Sequence, residues 1–88
     1  MILGRVTGHL WATRKCPQLV AQKLAIVRPD RVYRYPADHV VAIDTLGADV
    51  GETVLVCLGA PARWCMGDEQ VPVDAAVAAI VDRVEESR

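Results

Sequence analysis

The first stretch of the chain alternates between apolar and polar positions. Ile2, Gly4, Val6, Gly8, Leu10 and Ala12 fall on one side, and Arg5, Thr7, His9, Trp11 and Thr13 on the other, with Leu3 the exception. A period of two over this length marks a long, half-buried strand, and Gly4 and Gly8 are places where it can coil or bulge. Pro17 ends the run, because proline cannot donate to a ladder. Residues 23–27 read as a second strand, halted by Pro29, and residues 30–38 as a polar, aromatic-dotted loop or loose hairpin tip stopped by Pro36. A third strand is expected over 39–44 and a fourth over 53–58. Between them Gly47-Ala48-Asp49-Val50-Gly51 forms a turn whose glycines are free to take positive φ. Gly59-Ala60-Pro61-Ala62 breaks the fourth strand, and a helical turn is expected over 62–67.

The last segment has a different period. Val73, Val77, Ile80, Val81 and Val84 recur at helical spacing as a single apolar stripe, and Asp74 stands where an N-cap belongs. The spacing predicts a helix. Short strands, turn signals and one terminal helix give the fold class: mainly β, a small OB-like β-barrel with one C-terminal helix. Val40-Val41-Ala42-Ile43 and Val54-Leu55-Val56-Cys57-Leu58 are apolar on both faces. A strand of a single-layer barrel should show water one of its faces, so the outer face is expected to meet the helix or another copy of the chain.

Composition narrows the function. The 88 residues suffice for one domain, 1–88, and bury only a modest core, so partner subunits are a natural source of stability. Ten basic residues face eleven acidic ones, a balance that argues against a phosphate-backbone binder. No apolar run approaches the roughly 18 residues of a membrane span. The opening Met1-Ile2-Leu3-Gly4-Arg5 is unlike a signal peptide. Cys16, Cys57 and Cys65 are odd in number and form no CxxC, so a reduced cytosolic setting is expected.

The candidate chemistry is thin. Gly47-Ala48-Asp49-Val50-Gly51-Glu52 lacks the Gly-Lys-Ser/Thr of a P-loop, and a strand follows where a helix is needed. His9, His39 and the cysteines lack the close pairing of structural zinc ligands, so no metal is expected. A Cys–His nucleophile pair would meet only in space. No carboxylate pair, nucleophile elbow or cofactor fingerprint supports an enzyme. No catalytic residue and no cofactor is assigned. Arg14, Lys15, Arg28, Arg31 and Arg34 with Tyr33 and Tyr35 resemble a basic-aromatic surface, which makes an OB-like single-stranded nucleic-acid binding module the alternative reading. Asp30, Asp38 and the neutral total charge weigh against it.

Four segments, in order, resemble a known family. They are Leu3-Gly4-Arg5-Val6-Thr7-Gly8 with Ala12-Thr13-Arg14-Lys15; Lys23-Leu24-Ala25-Ile26-Val27; Asp44-Thr45-Leu46-Gly47-Ala48 leading into Gly51-Glu52-Thr53-Val54-Leu55-Val56; and Pro72-Val73-Asp74-Ala75-Ala76-Val77 through Ile80-Val81-Asp82-Arg83-Val84-Glu85. Together they resemble the pentameric vertex proteins of bacterial microcompartment shells, the EutN/CcmL type. The resemblance implies a structural subunit without cofactor, assembling as a homopentamer in the bacterial cytoplasm. The ring would cap the vertices of a shell whose facets are hexameric shell proteins, with no nucleic acid and no membrane involved. Ring closure gathers copies of one loop, and small residues permit the closest approach. Gly59, Ala60, Pro61, Ala62 and Arg63 are the first candidates for the ring axis or pore, and Gly47, Ala48, Asp49, Val50 and Gly51 the second. The chain departs from the family pattern in three places. Asp49 stands where a glycine is usual, Gly59-Ala60-Pro61-Ala62-Arg63 replaces a usual Gly-Ser-Ser-Ala-Arg, and a further strand-like tail is expected of many relatives.

Overall fold

The computed structural model describes residues 1–33, 36–67 and 70–86. Five strands, β1 (Ile2–Leu10), β2 (Lys23–Pro29), β3 (Val40–Asp44), β4 (Thr53–Leu58) and β5 (Ala75–Val81), close into a barrel in the order β1-β2-β3-β5-β4. One helix, α1 (Ala60–Cys65), and 3-10 turns at Pro17–Leu19 and Arg31–Tyr33 fill the connections. The fold is the expected small, mainly β barrel with a single helix. Every neighbouring pair is antiparallel except β3 and β5, which run parallel with Ile43 beside Ala76.

Alternation in β1 places Ile2, Gly4 and Val6 inside and Arg5 and Thr7 in solvent. The phase then reverses. Val6 lies opposite Val27 but Gly8 opposite Ile26, so Thr7 is the extra residue of a bulge, next to a glycine marked as a place for one. Beyond it Leu10 is 43% exposed and His9 is half-buried, contrary to the unbroken alternation. The barrel interior holds Val6, Ala25, Val27, Ala42, Val54 and Val56, all but inaccessible to water.

The terminal helix expected from Val73 to Val84 is not there; residues 75–81 form β5. The cause is a second bulge. Val56 pairs with Val77 and Leu55 with Ala79, which leaves Ala78 as the extra residue. Val77 and Ile80 therefore both face the interior although they are three apart, a helical interval. Ala76 and Ala78 face outward, and Val84 is exposed rather than on a common stripe. The alanines have the best helix propensity, but pairing along β4 overrides it.

The helix of this fold is α1, close to the helical turn expected at 62–67. It lies on the outside of the barrel, where Ala62 packs with Ile43, Cys57 and Ala76. That accounts for part of the two-sided apolarity of β3 and β4. Val41, on the same side of β3, stays 44% exposed.

Candidate functional site

Both candidate axis segments are surface features anchored from below. In the first, Gly59 takes φ 72° and ψ −149°, a conformation that favours glycine, and its N–H donates to the Asp74 carbonyl at 2.7 Å. Pro61 fits the first turn of α1, where no N–H is required. Ala62 is buried and Arg63 half-buried, while Gly59, Ala60 and Pro61 are exposed. This segment is the start of a helix rather than a free loop.

The second segment is held by Asp44, a residue the sequence reading left without a role. Its carboxylate is only 3% exposed and accepts three backbone N–H groups: Leu46 and Gly47 on Oδ1 at 2.9 and 3.0 Å, and Ala48 on Oδ2 at 2.7 Å. Charge-assisted bonds of this kind are among the stronger hydrogen bonds available to a loop. An Asp at a strand end followed within three residues by Gly is a recognisable turn signal, and it was available in Asp44-Thr45-Leu46-Gly47. Ala48 is buried beneath the loop, and its carbonyl meets His9 Nε2 at 3.0 Å. Gly51 N–H donates to the Val6 carbonyl and Val6 N–H to the Glu52 carbonyl, which fastens the loop to β1. Asp49 and Val50 remain exposed at its tip, and Asp49 N–H donates to Glu52 Oε1 at 2.8 Å.

Of the other singled-out residues, Cys57 and Cys65 adjoin. His9 is engaged with Ala48, and His39 is exposed ahead of β3. Cys16, Cys57 and Cys65 are free thiols, with Cys57 buried under α1. Partial burial and then the adjoining Cys57 thiol push the Cys65 thiol up from its ordinary value. Among the described residues, no three His, Cys, Asp or Glu gather as a metal-holding group. Of the basic-aromatic surface, Lys15 donates to the Gln22 carbonyl, while Arg14, Arg28 and Arg31 are exposed. Arg34 and Tyr35 lie outside the described residues. Trp11 and Trp64 stand 80% and 69% exposed, an uncommon placement for tryptophan, which is enriched in the central contacts of protein interfaces.

The sequence profile of the family described as "Ethanolamine utilisation protein EutN/carboxysome" matches residues 1–82. The chain belongs to this family. EutN/CcmL relatives resemble it along nearly their whole length. The microcompartment shell vertex protein PduN of Salmonella typhimurium is 42% identical, over 93% of this chain and 96% of that protein. The carboxysome shell vertex protein CcmL of a Nostoc species is 38% identical, over 96% of this chain and 85% of that one. The solved structure of GrpN, a pentameric microcompartment shell protein from Rhodospirillum rubrum, superposes with a TM-score of 0.83 at 36% identity and covers 99% of this chain and all of that one. These names leave the nucleic-acid reading without support.

Proposed function

We propose that this chain is a structural shell protein, a single domain over 1–88 that assembles as a homopentamer and caps the vertices of a bacterial microcompartment in the cytoplasm. The observation that carries the proposal is full-length likeness, in sequence and in fold, to proteins named as pentameric or vertex shell subunits. The chemistry of the chain agrees. His9 meets the Ala48 carbonyl and Asp44 organises its own loop, so these polar side chains serve the scaffold, and the proposed role includes no catalysis.

Geometry supplies the function. A flat lattice of hexameric facet proteins closes into a polyhedron only where five-fold points introduce curvature. The ring's flanks would meet the hexamers, and the candidate axis is the Gly59–Ala60–Pro61 corner, with the Gly47–Gly51 loop second. The first presents small residues, which permit several copies to approach closely, whereas the second presents Asp49 and Val50 at its tip. The exposed Trp11 and Trp64 are suited to contacts between subunits.

Deleting the gene tests the role. Facets should still form while vertices stay open or shells elongate, and the enclosed pathway should leak its intermediate with enzyme activities in lysate unchanged. Adding the purified ring to cognate hexamers should seal particles, with density at the vertices in electron micrographs. Shells that close identically without this protein, where no second vertex protein is encoded, would sink the assignment.

A further inference from the structure

The outer face of β1 carries a feature that the barrel alone does not explain. Arg5 stands directly opposite Arg28 of β2 in the antiparallel register, and both are exposed. Like charges at opposed positions repel and weaken a strand pair. Together with Arg31 they line a groove of about 640 Å³, whose lining also includes Leu3, Val84, Asp30 and Glu86. Among the described residues, no carboxylate forms an ion pair with any of these arginines; the pair that does form joins Arg83 to Glu85. Leu3 is the residue that broke the polar face of β1 in the alternation, and it is half-buried. An apolar side chain in a groove whose three arginines form no ion pair among the described residues, and outnumber its two carboxylates, matches a protein surface that carries carboxylates.

We propose that this groove is one half of the contact between adjacent subunits of the ring, and that it receives carboxylates of a second copy of the chain. The proposal rests on the pentameric reading above. Copies around a single rotation axis meet head to tail, so one flank of a subunit faces a different flank of its neighbour. The groove holds three arginines against two carboxylates, so in a chain of net charge -1 the remainder carries an excess of two acidic residues. Asp49 and Asp74 are exposed and are not part of the groove's lining, and neither forms an ion pair among the described residues. A neighbour's carboxylate between Arg5 and Arg28 would take paired N–H bonds from each guanidinium and cancel their repulsion. The isolated subunit keeps that repulsion, and the ring relieves it.

Charge reversal separates this contact from a fold defect. Arg28→Glu replaces the repulsive pair with an attractive one, so thermal unfolding of the dispersed subunit should be unchanged or occur at a higher temperature. The same substitution should raise the protein concentration needed for half-assembly by roughly tenfold or more in native mass spectrometry. Arg5→Glu should behave alike. The wild-type protein, run alongside, reports on the ring itself. Should it remain monomeric, the pentameric reading fails. If the wild type forms rings and both variants form them at the same concentration and with the same salt sensitivity, only the groove assignment is overturned. Inorganic phosphate that binds the assembled wild-type ring, with binding abolished by Arg28→Glu, would overturn it in favour of a free oxyanion. Normal variant rings that no longer bind purified facet hexamers would overturn it in favour of a facet contact.

Discussion

Gly4 is the glycine most closely approached by its neighbours. A Cβ there would lie 2.5 Å from Val27 Cγ1 and 2.8 Å from the Arg28 carbonyl oxygen, and the latter is backbone that yields only if β2 moves. Gly4→Ala should therefore destabilise the protein by about 1–3 kcal/mol, the usual cost of overpacking. At Gly8 the nearest atom is the tip of Ile26, 3.8 Å away, so Gly8→Ala should change stability by less than about 1 kcal/mol. Urea denaturation at one fixed protein concentration compares the two, and equal losses would show that the register of β1 against β2 is misplaced. Asp44 poses a sharper chemical question. Asp44→Ala removes the acceptor of three N–H groups and leaves the Ala48 N–H buried without a partner, at a cost of about 2–4 kcal/mol. Asp44→Asn should fall between that variant and wild type. Its single carbonyl oxygen serves one side of the loop while its amide turns a donor toward the other. If asparagine matched wild type, the carboxylate would not be the organiser of the 44–52 loop.

At the level of elements, β2 to β4 were legible because each is short, apolar and bounded by Pro or Gly, and most of β1 because its alternation is clean. The parts that were not legible share one cause. A bulge inserts a residue without leaving a signature in composition, and it reverses the phase of everything beyond it. At Thr7 it sent Leu10 outward and His9 toward the loop; at Ala78 it set Val77 and Ile80 three apart and imitated a helix. The candidate axis segments were legible as breaks between strands. Their anchoring was legible only in part: Asp44 signals its own turn, but His9 and Val6 reach the 47–51 loop, and the Asp74 carbonyl reaches Gly59, from elsewhere in the fold. The helix α1 also does more than fill a connection. It rests on Ile43 of β3, Cys57 of β4 and Ala76 of β5, and so spans the junction where β3 and β5 meet. Ala62 is fully buried at the centre of that contact, and the close approach depends on its size. Ala62→Leu should cost about 1–3 kcal/mol. Amide exchange should quicken first along β3 and β5; uniform quickening across the barrel would argue against a local role for the helix.

For the molecule as a whole, assembly and stability are linked. Partner copies bind the folded subunit alone, so the thermal midpoint should climb as protein concentration rises, and a wholly concentration-independent midpoint would speak against a ring of folded subunits in equilibrium with monomer. The order β1-β2-β3-β5-β4 has a further consequence for that ring. A sheet that returns to its own first strand leaves no row of unpaired N–H and C=O groups along an edge. Lengthening a ladder, the route by which open sheets run on into fibres, therefore has little open edge to start from. Contacts between copies must be made by side chains and loop tips, whose fit turns each subunit through a set angle relative to the last. Where that angle closes on a full turn, growth comes back to its starting point and stops, so the size of such a ring is written into the shape of one subunit.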